Sequence, residues 1–192
     1  MNKYVENYYV IDNVLPQVEF DKFLNTISDI NFPWFYSGTA YDTEEGNTSF
    51  SNVPQEGTPF DDYVEKTVNR MLSSVNIPNA TIQRKRFALI PKTGNQSFTN
   101  EAHIDQGWSH MVGLLYFNDS DGDTILYNET KPLDHYENTL DFYNEHIKGN
   151  LSIQSSITPK ANRLLLFNGD YYHASSTPTN VPRRVALNFN WD

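Results

Sequence analysis

The chain contains no cysteine. Disulfide frameworks, zinc–thiolate sites and thiol nucleophiles are therefore excluded, and a reducing compartment fits the composition. Positive charge is scarce: 14 Lys and Arg stand against 24 Asp and Glu, a formal net charge of −10. Affinity for nucleic acid rests on clustered cations, so no nucleic-acid partner is expected. Long apolar runs are missing. The longest, Met111 to Phe117, falls far short of the roughly 20 residues a membrane-spanning helix needs. The opening MNKYVENYYVIDNV lacks the uninterrupted apolar core of a signal peptide. A soluble, cytoplasmic protein without a membrane partner is the simplest expectation. Sequons at Asn47, Asn79 and Asn95 arise readily in an Asn-rich chain and have no export signal behind them.

What is present suits one folded domain. The 192 residues are 38% hydrophobic and 14% aromatic, enough for a substantial core. Phe20, Phe23, Leu24 and Ile27 recur at helical spacing behind Pro16. A second helix starts at Thr58-Pro59, with Asp61 and Asp62 in its first turn and Val64, Val68, Met71, Leu72 and Val75 as its buried stripe. After Pro78 the pattern turns strand-like: Ala80 to Ile90, Met111 to Asn118, Thr124 to Tyr127, Asn162 to Phe167, Tyr171 to Ser175 and Arg184 to Trp191. Asn168-Gly169 reads as a hairpin turn between two of these strands. Leu133, Tyr136, Leu140, Tyr143 and Ile147 predict a helix inserted among them. The expected fold is mainly β with N-terminal helices, a sandwich or jelly roll buttressed by those helices. The helical part covers about 1–78 and the β core about 79–192, with an insert at about 129–151. The stretch from Tyr36 to Thr58 reads as a long loop, and it and the insert are the natural positions for a substrate lid.

The chemistry concentrates in His103-Ile104-Asp105. Alternate residues of a strand share a face, so an imidazole and a carboxylate can stand side by side while Ile104 turns into packing. A further histidine from a neighbouring strand completes two nitrogens and one carboxylate on one side of a metal, the donor set of non-haem Fe(II) oxygenases. His173, in the strand after Asn168-Gly169, is that histidine. The plain alternative is a polar strand end at His103 and Asp105 with local hydrogen bonds, and a His173 that packs as an aromatic. In the last strand Val185, Leu187, Phe189 and Trp191 form an apolar face, and Arg184, Ala186, Asn188 and Asn190 a polar one. An inward Arg184 needs an anion, and its planar fork suits a carboxylate. Tyr116 presents its hydroxyl to the same carboxylate if Leu114 and Tyr116 face inward. Arg183 has the opposite parity.

In order, His103-Ile104-Asp105, Leu115-Tyr116-Phe117-Asn118, Gly122-Asp123-Thr124, Pro159-Lys160-Ala161-Asn162-Arg163-Leu164, His173 and Arg184-Val185-Ala186-Leu187 resemble the 2-oxoglutarate/Fe(II)-dependent dioxygenases, specifically the prolyl 4-hydroxylase-like branch. The resemblance spans Ala80 to Trp191. It implies a double-stranded β-helix, with His103, Asp105 and His173 as metal and catalytic residues holding Fe(II). It also implies 2-oxoglutarate as co-substrate, its far carboxylate on Arg184 and Tyr116, and ascorbate in a supporting role. The implied reaction consumes dioxygen, releases succinate and carbon dioxide, and hydroxylates a peptidyl substrate, prolyl by family habit, or a small molecule. Two departures stand out: Ile90-Pro91 where prolyl hydroxylases often carry Tyr before a Pro-Gly turn, and Gly122-Asp123-Thr124 for Gly-Gly-Glu-Thr. The competing classes are a non-catalytic jelly-roll binding module and a cupin-like metal protein, although cupins usually offer more histidines than His-x-Asp.

Among the remaining features, His110 has the parity to reach the pocket mouth, while His135 and His146 flank the insert helix and read as exposed. A strand splits Arg84-Lys85-Arg86 between faces, to pair with local carboxylates or, less simply, with an acidic substrate. Asp119-Ser120-Asp121-Gly122-Asp123 has the look of a calcium loop without the glutamate an EF-hand requires, and reads as an acidic turn.

Overall fold

The computed structural model describes residues 8–37, 48–131 and 149–192. The chain opens with strand β1 (Tyr8–Ile11) and helix α1 (Gln17–Ser28). Pro16 caps α1, its carbonyl accepting from the Glu19 and Phe20 amides. Helix α2 (Pro59–Ser74) begins where the Thr58 hydroxyl accepts from the Asp61 amide at 3.2 Å, with Asp61 and Asp62 beside the positive end of the dipole. The predicted stripe on α2 is buried at Val64, Val68, Met71 and Leu72.

The strands are β2 (Phe35–Tyr36), β3 (Phe50–Asn52), β4 (Ile82–Pro91), β5 (Met111–Tyr116), β6 (Thr124–Thr130), β7 (Ile153–Ile157), β8 (Arg163–Asn168), β9 (Tyr171–Ser175) and β10 (Arg183–Trp191). They form a seven-stranded sheet, β1-β8-β5-β10-β4-β3-β2, and a three-stranded sheet, β7-β6-β9. All pairings are antiparallel. Period-two alternation decides which side of the large sheet each residue serves. Val185, Leu187, Phe189 and Trp191 join Phe23, Phe87, Phe117 and the apolar faces of α1 and α2 in one core. Tyr116, Leu114 and Ala186 face the other way and pack with Leu126 and Ile157 of the small sheet. Two sheets enclosing an inner core, with helices on the outer face of the larger one, make the double-stranded β-helix expected from the sequence.

Several local expectations change. The stretch read as a loop from Tyr36 to Thr58 contains β3, which pairs with β4 through Ser51 and Ala88. Strand β7 escapes sequence reading because Ile153-Gln154-Ser155-Ser156-Ile157 carries too little apolar alternation. Asn168-Gly169 is not a hairpin turn: β8 lies in the large sheet and β9 in the small one, so the turn carries the chain between sheets. Glycine is needed there because a Cβ would lie 2.3 Å from Nε2 of His110. The insert helix, His135 and His146 fall in 132–148, outside the described residues, as do 38–47 of the other lid candidate. No helix among the described residues is long and apolar enough to cross a membrane.

Candidate metal centre

His103, Asp105 and His173 converge, each offering one donor atom, with all three atoms within 4.8 Å of one another. The local backbone differs from the expected strand. His103 forms an isolated antiparallel bridge with His173, donating to its carbonyl at 2.9 Å and accepting from its amide at 3.0 Å. Around it, residues 98–103 run beside β9 and its continuation through bonds such as Asn100 N to the Ser175 carbonyl, 2.8 Å. The bridge puts both imidazoles at one point, their rings 4.6 Å apart. Ile104 turns into a small cluster with Ala102, Ile125, Tyr172 and Ala174.

Past the bridge the chain bends, and side chains rather than strand register hold Asp105. Its Oδ2 accepts from the amides of Asn188 and Asn190, each at 3.0 Å. Its Oδ1 lies 3.4 Å from Nη1 of Arg84. Burial alone would raise the Asp105 carboxyl pKa. The facing His173 and His103, Arg84 and the Asn188 amide outweigh burial and hold it well below the usual carboxylate range.

The histidines are oriented the same way. Nδ1 of His103 lies 3.1 Å from the Glu101 carbonyl, and Nδ1 of His173 lies 3.2 Å from the Tyr171 carbonyl. A carbonyl can only accept, so Nδ1 carries the proton and the Nε2 lone pairs are left for a ligand. Those Nε2 atoms face Asp105 at 3.7 and 3.9 Å. Burial and the neighbouring His103 push His173 down to about 4, which keeps a neutral, ligating imidazole at physiological pH. Two imidazoles presenting Nε2 and one ionised carboxylate fit a divalent first-row metal with open positions on its far side.

Deeper in the barrel lies a second feature. Arg184 is 4% exposed, on the inner face of β10. Its Nη2 donates to the Thr124 hydroxyl at 2.8 Å, and its guanidinium sits 5.5 Å from the Tyr116 ring centroid. The Tyr116 and Thr124 hydroxyls are 2.7 Å apart. Nε of Arg184 is buried with no partner, and no described carboxylate pairs with the guanidinium. Burial pushes the Arg184 pKa down and that of Tyr116 up, so the phenol stays protonated and able to donate. An unpaired buried cation with an orphaned N–H is costly, and a carboxylate entering the cavity would relieve it. Between this point and Asp105 the inner face of β10 presents Ala186, the smallest side chain on that face.

Of the residues singled out in the sequence, His103, Asp105 and His173 form one cluster, and Arg184 and Tyr116 form the other. His110 joins neither: it is buried under the β8–β9 turn, with Nδ1 2.8 Å from the Trp108 carbonyl. The basic run splits as expected, Lys85 reaching Asp61 and Glu65 of α2 at 2.8 and 2.6 Å while Arg84 points inward. The acidic turn spends its carboxylates on loop hydrogen bonds: Asp121 accepts from Thr179 and Asn180, and Asp119 from the Ala161 amide. Asn188 and Asn190 orient Asp105, and Thr124 binds Arg184. The polar parity of β10 marked the two asparagines, but nothing marked Thr124 as the bridge between sheets.

The described strands form the double-stranded β-helix seen in solved structures of 2-oxoglutarate/Fe(II) oxygenases, and His103, Asp105 and His173 converge within it. No family model matches the chain, and no curated protein sequence matches it. Solved structures do. A prolyl hydroxylase from Trichoplax adhaerens, in complex with a hypoxia inducible factor oxygen degradation domain peptide fragment, is 17% identical with a TM-score of 0.65, covering 97% of this chain and 84% of that chain. A Pseudomonas putida prolyl-4-hydroxylase is 12% identical with a TM-score of 0.62, covering 96% and 91%. The non-heme alpha ketoglutarate dependent carbocyclase SnoK from nogalamycin biosynthesis is 12% identical with a TM-score of 0.70, covering 100% and 83%. At these identities the likeness establishes the fold. Its neighbours include both peptide-binding and small-molecule enzymes, so the fold alone selects no substrate.

Proposed function

We propose that this chain is a single-domain 2-oxoglutarate- and Fe(II)-dependent dioxygenase that hydroxylates a peptidyl or small-molecule substrate. The observation that carries the reading is the pairing of two poles on one strand. Asn188 and Asn190 of β10 hold the metal-ligating carboxylate, and Arg184 of the same strand waits without a counter-ion. Asn188 lies four positions beyond Arg184, about 13 Å of strand. His103, Asp105 and His173 would hold the iron. Arg184 would pair with the far carboxylate of 2-oxoglutarate, with Tyr116 and Thr124 fixing the guanidinium and donating to the same group. Iron with 2-oxoglutarate supplies dioxygen activation, with succinate and carbon dioxide as co-products.

The protein's own part is positional. Backbone carbonyls fix the histidine tautomers, the two asparagines orient Asp105, and the inner core of Leu114, Leu126 and Leu165 excludes water from the deep end. A non-catalytic jelly roll has no use for an unpaired buried Arg184 aligned with such a triad. The test is 2-oxoglutarate turnover by the purified protein with Fe(II) and air. Succinate formation that requires both is expected. Its absence from folded, metal-loaded protein would overturn the reading.

A further inference from the structure

Once iron and 2-oxoglutarate are counted in, the inner face of β4 remains positively charged. Arg84 and Arg86 both point into the barrel, directly opposite Asn190 and Asn188 of β10. Iron(II) brings two positive charges and 2-oxoglutarate two negative; Asp105 adds one negative and Arg184 one positive, so these four cancel. Arg84 and Arg86 are left over. Arg84 at least leans on Asp105. Arg86 is half-buried and makes no hydrogen bond or ion pair among the described residues, with Arg84 as a like-charged neighbour. Beside it, Asn188 commits its Nδ2 to Asp105 while its Oδ1 is buried without a donor. A cation without an ion-pair partner thus stands in register with a residue whose buried acceptor lacks a donor, beside the triad.

Along the neighbouring row, Ala186, Ala88 and Ser51 are register partners across β10, β4 and β3, followed by Phe35 on β2. The first three are small, and Phe35 is 63% exposed. The row is a line of mostly small side chains running from the barrel interior to β2 at the sheet edge, next to the row of Arg86. In a chain of net charge −10, two guanidiniums on this face form a local reversal of field that attracts anions.

Resting on the oxygenase reading above, we infer that the substrate carries an oxyanion group, a carboxylate or a phosphate, which Arg86 binds with help from Arg84, beside the iron site and apart from the 2-oxoglutarate pocket. Arg86 is then a specificity-determining residue. Its fork takes two oxygens of the anion, and Asn188 Oδ1 accepts an N–H or O–H of the same molecule.

The test uses protein loaded without oxygen with Mn(II), in place of Fe(II), and saturating 2-oxoglutarate, so that Arg184 is already occupied. Inorganic phosphate and carboxyl-labelled acetate are titrated separately, and the paramagnetic relaxation of the phosphorus or carboxyl carbon is followed. Saturable enhancement is expected for at least one anion, weakened about ten-fold or more in Arg86→Gln and largely restored in Arg86→Lys. The tighter probe identifies the oxyanion. No saturable enhancement with either anion overturns the inference. Equal enhancement in Arg86→Gln also overturns it, because the anion would then sit on the metal itself. If the wild type fails to load Mn(II) and 2-oxoglutarate at all, the oxygenase reading falls first and this inference falls with it.

Discussion

The two ends of the inner face of β10 are built on opposite principles. At the Asn188–Asn190 end the charged group is complete: Asp105 has two amide donors, Arg84 and two facing imidazoles. At the Arg184 end the charged group is unfinished, bonded only to the neutral hydroxyls of Thr124 and Tyr116 and with an orphaned Nε. The first end is preorganised for an ion that the donors fully define. The second stores an electrostatic demand that only a diffusible anion can meet. In the function proposed here, such a strand serves two ligands, one held by geometry and one by charge.

The sharpest way to break the comparison is to remove the complete end. Asp105→Ala or His173→Ala is predicted to weaken Fe(II) or Co(II) binding by more than about 100-fold, since even loss of an outer-shell partner costs 10- to 100-fold. Calorimetric metal titration checks this. At the unfinished end, Arg184→Met is predicted to weaken 2-oxoglutarate binding by about 100-fold while leaving metal affinity unchanged. It is also predicted to raise the melting temperature of the ligand-free protein, because an uncompensated buried charge gives way to an apolar chain of similar length. A lower melting temperature would mean that Arg184 already has its counter-ion.

The two ends should also differ with pH. Burial lowers His173 from its ordinary 6.5 to about 4, so between these values the unfolded chain holds more protons than the folded one. Stability of the metal-free protein is therefore full above about pH 6.5 and falls as pH drops toward 4. The loss is about 3 kcal/mol at roughly 1.4 kcal/mol per pH unit. Chemical denaturation across that range measures it, and His173→Gln is expected to flatten the slope. The smallest effect is expected from Asn188→Leu, which removes one of several bonds to Asp105: a 10- to 100-fold loss of metal affinity with the triad intact.

How legible each end was in the sequence follows from the range of its interactions. β10 alternates cleanly, so Arg184, Ala186, Asn188 and Asn190 could be placed inward and Val185, Leu187, Phe189 and Trp191 toward the helices, as they are found. His103 and Asp105 were found through strand parity, but the structure joins them differently, by one bridge to His173 and by asparagine amides on β10. That bridge could not be read locally, since it depends on which sheet β9 enters. The same ignorance produced the hairpin expectation at Asn168-Gly169, where the glycine serves the His110 ring and the chain changes sheets. Thr124 lies 60 residues from Arg184, and only the packing of the two sheets makes them partners. Phe50–Asn52 is too short to declare itself a strand without β4 beside it.

The central claim is that β10 organises one site for two ligands, and anaerobic optical titration tests it most directly. In the wild type a visible absorption band that requires both Fe(II) and 2-oxoglutarate is expected. In Arg184→Met, Fe(II) still binds but the band develops only at about 100-fold higher 2-oxoglutarate. A band that forms without 2-oxoglutarate, or one equally strong and equally easy to saturate in Arg184→Met, would contradict it.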